Sequence, residues 1–184
     1  TEVSFGNKEE DAVKIPLGDG KHILLRGRID RIDKTAPSKY FVWDYKTGGT
    51  YSYDENGYIS GGEQIQHALY AVAAEVILKK SGKDNDPKVI AAGYIFPTEK
   101  GTKDGQGGIF PRPADDKNRW RDALNKLLDI IATGTFIVNN EDVCKFCDYT
   151  DICGGKTARD IMSEKLKNPD NKALDAWKTL KAYE

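Results

Sequence analysis

In the stretch LRGRIDRIDKTAPSKYFVWDYKTGG, Leu25 to Gly49, carboxylates and basic residues interrupt what otherwise reads as two apolar strands. Ionised side chains are costly to bury unless something pairs with them, and a cluster of them on strands usually marks a bound ion or catalysis. Residues two apart in a strand face the same way, so Asp44 and Lys46 project together, away from Phe41, Trp43 and Tyr45. Pairing of the preceding strand with this one would bring Asp30 alongside, giving two carboxylates and one ammonium in a small volume. Two hard oxygen donors that leave positions for water suit Mg²⁺ or Mn²⁺. The lysine has a separate task, to orient a water molecule or to stabilise charge that builds on a phosphate.

The tripeptide Asp-x-Lys is itself a weak signal, because it recurs at Asp19, Asp44, Asp86, Asp115 and Asp170. Only the copy at Asp44 ends an apolar strand and follows a GRID strand by a hairpin's length. An exposed strand-end ion pair, a common and weak feature of protein surfaces, accounts for the same residues. Gln66 and Tyr70 are four apart in EQIQHALYA and so share a helical face, where an amide and a phenol can reach a strand-end site or a nucleic-acid backbone. The plainer reading is a solvent-facing Gln with a Tyr at the core margin.

These residues need elements to position them. From Lys21 to Asp33, Ile23, Leu25, Gly27 and Ile29 alternate with Leu24, Arg26, Arg28 and Asp30, which predicts one strand. KTAPSK has turn chemistry, and YFVWDYK predicts a second strand paired with the first as a hairpin. A loop, GGTYSYDENGYISGG, leads to a helix over Gly62 to Lys80 with Ile65, Leu69, Val72, Ala73 and Val76 at helical spacing. KVIAAGYIFP predicts the next strand, followed by the Gly-rich EKGTKDGQGG and a short run through Phe110. Arg119 to Thr133 predicts a second amphipathic helix on Trp120, Ala123, Leu124, Leu127, Leu128 and Ile131. The tail divides at Pro169 into two helical stretches, the second with Leu174, Trp177 and Leu180 along one stripe that packs on this domain or on a neighbour.

Length and charge narrow the function classes. The 184 residues suit one domain with appendages. The 28 Lys and Arg nearly cancel the 29 Asp and Glu, which argues against a uniformly basic nucleic-acid binder but leaves room for a local basic groove. Arg26, Arg28 and Arg31 near the acidic centre, with Lys100 and Lys103 in the Gly-rich loop, are candidate phosphate contacts, and scattered surface charge is the bland alternative for each. No apolar run is long enough to span a membrane and the first residues carry no signal pattern, so a cytoplasmic location is expected. Cys144, Cys147 and Cys153, spaced x2 and x5, cannot form a closed disulfide framework and suit a metal or a cluster in a reducing compartment. Structural zinc sites and iron–sulfur clusters take four ligands in the common case, and three are here. Free thiols and a zinc site are the alternatives.

With GRIDRID, VWDYKTG and Gln-x-x-x-Tyr in this order, the chain resembles the PD-(D/E)XK nuclease superfamily. The closest likeness is to the C-terminal nuclease domain of AddB- and RecB-type helicase–nucleases, with CRISPR-associated adaptation nucleases as relatives. The resemblance implies an α/β, restriction-endonuclease-like domain: a central mixed β-sheet flanked by helices, with a C-terminal cysteine loop and a helical tail. It divides the chain into a nuclease core, residues 1–155, and a helical extension, residues 156–184. It implies a DNA nuclease of the exonuclease kind, in an ATP-dependent helicase–nuclease that serves DNA repair and recombination, with DNA and a helicase subunit or domain as partners. In that family the residues matching Asp30 and Asp44, with the backbone carbonyl of Tyr45, hold Mg²⁺ or Mn²⁺. The lysine matching Lys46 assists the attacking water, and those matching Gln66 and Tyr70 hold the site or the DNA.

The same likeness implies a [4Fe–4S] cluster on Cys144, Cys147 and Cys153 with a fourth cysteine from far upstream in the full-length protein. Complete members also place a helix with a metal-binding histidine upstream of this point. The chain starts after it, so by itself it is expected to be folded, weakly active at best and without a stoichiometric cluster. His22 and His67 sit on the wrong elements to replace that histidine. Two rival classes fit the residues: a non-catalytic DNA-binding or scaffold module with the nuclease fold, and a cluster-bearing interaction domain.

Overall fold

The computed structural model describes residues 2–8, 11–50, 53, 57–98, 108–114, 117–138 and 147–183. Period-two alternation builds the first half as short strands: β1 (Val3–Phe5), β2 (Val13–Gly18), β3 (Lys21–Leu25), β4 (Gly27–Ile29), β5 (Arg31–Ala36) and β6 (Lys39–Tyr45). β2 and β3 form a hairpin through Asp19 and Gly20, both at positive φ, the two-residue turn whose twist matches its strands. Val13, Ile15 and Leu17 of β2 all point into the core.

The single strand expected from Lys21 to Asp33 is instead three. The chain changes partner twice, so that β3 pairs with β2, β4 with β1, and β5 with β6. The breaks fall at Arg26 and Asp30. The inward and outward alternation survives both breaks: Ile29 is fully buried while Leu24, Arg26 and Arg28 are exposed.

The main sheet has the order β5-β6-β7-β8, with β7 (Lys88–Phe96) and β8 (Gly108–Pro113). The expected hairpin is its β5–β6 edge, antiparallel with Arg31 opposite Trp43. β6 and β7 are parallel, which requires a crossover, and α1 (Gln66–Lys80) supplies it. β8 runs past Phe110 to Pro113; an edge strand tolerates Pro111 and Pro113 because its outer N–H groups need no ladder partner.

α1 starts at Gln66 rather than Gly62, because Gly61 and Gly62 have positive φ and form turns. Its buried residues are His67, Ala68, Ala71, Ala73, Ala74 and Leu78, so the expected stripe is only partly the buried face, and Val76 is exposed. The alanines let the helix lie close to β6 and β7 while β2 packs on it from another side.

α2 (Lys117–Ala132) buries Trp120, Ala123, Leu124 and Ile130 and leaves Leu127 and Ile131 exposed, contrary to the expected stripe. Asn125 ties it to β2 by donating to the Leu17 carbonyl at 3.1 Å. The tail holds α3 (Thr150–Cys153), α4 (Gly155–Lys167), a short 3-10 turn and α5 (Asp175–Lys181), divided near Pro169 as expected. α5 packs on α2 with Leu174 and Leu180 buried. The architecture is mixed α/β, a central mixed sheet flanked by helices. Among the described residues no helix is long and apolar enough to cross a membrane.

Candidate active site

The site grows from the C-terminal end of β6. Tyr40, Val42 and Asp44 alternate onto one face and are buried, while Phe41 and Trp43 meet edge to face on the other, ring centroids 5.7 Å apart. Lys46 extends the ladder one residue beyond the strand, its N–H donating to the Ile95 carbonyl at 2.9 Å, so its side chain keeps the parity of Asp44. The parallel crossover returns α1 over this end and places Gln66, its first residue, against both.

The three side chains form a closed triangle. Gln66 Nε2 donates to Asp44 Oδ1 at 3.1 Å, Lys46 Nζ donates to Gln66 Oε1 at 2.8 Å, and Lys46 Nζ lies 2.7 Å from Asp44 Oδ2. Asp44 is only 8% exposed, and its buried Oδ2 is the oxygen that meets the lysine ammonium.

Asp30, at the break between β4 and β5, accepts the backbone N–H of Tyr45 on its Oδ2 at 2.8 Å. That bond brings its carboxylate to the residue next to Asp44. A strand residue sends its N–H and C=O to the same edge, so β6 geometry directs the Tyr45 carbonyl to the Asp30 side. The donors fit a hard divalent cation: two carboxylates, one of them with a buried oxygen that faces the adjoining cleft only through the lysine, beside a backbone carbonyl. Among the described residues no group of three or more His, Cys, Asp or Glu side chains converges on one point, so water and substrate oxygens would complete the shell.

A cleft of about 550 Å³ opens beside Lys46 and Gln66, walled by Gly48, Glu63, Gln64 and Tyr94 among others. Sequence reasoning missed these walls. Glu63 and Gln64 stand just before α1, but each is held by a segment remote in sequence: Glu63 by Lys181 of α5, and Gln64 by the buried Arg112 of β8. Arg112 also stacks over Tyr53, 4.8 Å from its centroid. Nothing local in a Pro-Arg-Pro strand points to that role. Burial pushes the Tyr94 phenol up to about 12, and Lys46 Nζ sits 5.3 Å from its ring.

The family model of the PD-(D/E)XK nuclease superfamily matches residues 1–154. The chain belongs to the PD-(D/E)XK nuclease superfamily. No curated protein and no solved structure matches it. The main sheet with its crossover helix is accordingly a restriction-endonuclease-like core, and superfamily membership makes the chain a nuclease domain.

Within this superfamily domain the structure brings together Asp30, Asp44, Lys46 and Gln66, and leaves Tyr70 farther along α1. The Tyr70 ring packs edge to face on Phe5 at 6.4 Å, its hydroxyl over Gly27. Arg31 does not face the centre. It pairs with Trp43 on the opposite face of the sheet, where its guanidinium donates to Asp33 at 2.9 Å and to the Tyr45 hydroxyl at 3.3 Å, and these bonds hold it firmly protonated. Arg28 is exposed and 3.6 Å from Glu2, and Arg26 is exposed with its stem beneath Gly6.

Lys100, Lys103 and Cys144 lie outside the described residues. Cys147 and Cys153 are exposed free thiols, and Cys153 Sγ accepts the Gly155 N–H at 3.4 Å. His67 is buried between Tyr58 and Tyr94, their ring centroids 4.7 and 6.0 Å from its own. Burial, aided by the Arg112 charge, lowers its pKa to about 3, so it stays neutral as a core residue.

Proposed function

We propose that the chain is a Mg²⁺- or Mn²⁺-dependent deoxyribonuclease domain that hydrolyses phosphodiester bonds, of the AddB/RecB type and exonucleolytic. The observation that carries this reading is the Asp44, Lys46 and Gln66 triangle at the head of an open cleft. Asp30, Asp44 and the Tyr45 carbonyl would hold the cation. A bound divalent cation supplies Lewis-acid polarisation of the phosphate and acidification of water.

The chain's own residues do the rest. Lys46 places an ammonium at the cleft, where it can orient a water molecule and stabilise charge on the phosphate. Gln66 fixes the rotamers of Asp44 and Lys46 by bonding both. Arg112 and Lys181 hold Gln64 and Glu63 as walls. Tyr70, Arg26 and Arg28 are assigned to contacts with DNA away from the metal, and Lys100 and Lys103 to phosphate contacts.

The same reading makes residues 1–155 the nuclease core and 156–184 its extension, within a cytoplasmic helicase–nuclease of DNA repair and recombination. There Cys144, Cys147 and Cys153, with one further cysteine, would carry a [4Fe–4S] cluster. The test is degradation of linear DNA by the purified protein with Mg²⁺, with EDTA, and with Asp44→Asn. Mg²⁺-dependent cleavage that falls about 10²- to 10³-fold in the variant supports the assignment. DNA binding without cleavage under any metal would favour the non-catalytic module.

A further inference from the structure

We propose that Lys46 is a tethered cation that covers the metal-binding oxygen of Asp44 in the resting protein and is released into the cleft when a divalent cation takes that oxygen. This rests on the metal-dependent reading of the site and adds a coupling between metal entry and the arming of the lysine.

Asp44 can offer a cation only two oxygens, and both are in use. Oδ1 accepts the Gln66 amide at 3.1 Å, while Oδ2 is buried and faces the Lys46 ammonium at 2.7 Å. An inner-sphere bond from a divalent ion to Oδ2 therefore competes directly with the lysine. The two side chains differ in access: that of Asp44 is 11% exposed and that of Lys46 is 39%. The carboxylate is the deep member and the lysine the outer one, nearer the cleft.

Lys46 also has places to go. Its ammonium already donates to Gln66 Oε1 at 2.8 Å and stands 5.3 Å from the centroid of Tyr94, and its stem opens on the cleft. Giving up Asp44 would leave it bonded to Gln66 and facing the volume where a substrate phosphate would sit. The same residue thus neutralises a buried carboxylate before the metal arrives and supplies positive charge to the phosphate afterwards.

Magnitude makes the exchange feasible. A partly exposed ion pair is worth about 1 kcal/mol or less, so removing the competitor should tighten metal binding by up to about fivefold and no more.

The test titrates Mn²⁺ calorimetrically into the full chain, without DNA, for wild type and Lys46→Met, which keeps the apolar stem. The expected result is a dissociation constant about two- to fivefold lower in the variant. A second measurement needs no variant: acetylation of Lys46 by an activated ester, mapped by mass spectrometry, should accelerate when Mn²⁺ saturates the wild type. Equal or weaker Mn²⁺ affinity in Lys46→Met overturns the proposal, as does Lys46 reactivity that ignores bound Mn²⁺. If neither protein binds Mn²⁺, the metal-dependent reading falls and takes the coupling with it, which separates the two failures.

Discussion

The Asp30 carboxylate accepts the backbone N–H of Tyr45 at 2.8 Å, across the point where the chain leaves β4 for β5. One side chain thus fixes the end of β6 and, in the proposed function, also binds the metal, and two substitutions separate these tasks. Asp30→Asn keeps an acceptor for Tyr45 and loses the charge, so it should hold its melting temperature while Mn²⁺ affinity and cleavage fall. Asp30→Ala should lose both and also about 1 kcal/mol of stability. Calorimetric titration and thermal denaturation of the pair check this; unchanged Mn²⁺ affinity in Asp30→Asn would remove Asp30 from the metal shell.

Gln66 bonds both charged members of the triangle, whereas Tyr70 faces Phe5 and Gly27. Gln66→Leu should lower cleavage about tenfold or more by releasing the rotamers of Asp44 and Lys46. Tyr70→Phe keeps its ring contact and should leave Mn²⁺ affinity unchanged, with any loss confined to DNA affinity. Weakened metal binding in Tyr70→Phe would place that hydroxyl at the centre after all.

His67 gives stability a defined pH dependence. Its folded pKa, lowered to about 3 by burial and the Arg112 charge, lies below the ordinary 6.5 of an unfolded histidine. The unfolded chain therefore takes up a proton that the folded chain refuses. The contribution is complete above the unfolded value and is lost as pH falls towards the folded one, by about 2 kcal/mol at about pH 5. His67→Phe, which fits among Tyr58 and Tyr94, should flatten the fall in urea midpoint between about pH 7 and about pH 5. Parallel curves for variant and wild type would contradict this account.

Gly93 tests the sheet. A Cβ there would lie 2.1 Å from the Phe110 carbonyl oxygen, a backbone atom of the β7–β8 ladder that cannot yield. Gly93→Ala should cost at least about 3 kcal/mol or prevent soluble expression. Gly48→Ala, which meets nothing within 4 Å, is the control and should melt like wild type.

Several of these features are legible in the sequence. The shared face of Asp44 and Lys46 follows from strand parity, the hairpin of β5 and β6 from its turn residues, and the crossover helix from its uninterrupted helix formers. The turn at Asp19 and Gly20 and the alternation of Val13, Ile15 and Leu17 carry an equally local signal for the β2–β3 hairpin, which was not among the expected elements. Other features have no local signal. The expected stripe on α1 is only part of its buried face, because a helix covered on two sides also buries alanines that spacing alone does not single out.

The sequence by itself determined which side chains share a face and where turns can form, since both depend on covalent geometry and on residues a few positions apart. Only the tertiary structure decided that the Asp-x-Lys at Asp44 is buried against an amide, that Gln66 rather than Tyr70 closes the triangle, and that Arg31 turns to the opposite face. It also decided that the strand from Lys21 changes partner at Arg26 and Asp30. Those outcomes depend on which distant segments satisfy each backbone edge and each buried charge: β1 for β4, β7 for β6, Arg112 for Gln64, and the crossover that returns α1 to the end of β6.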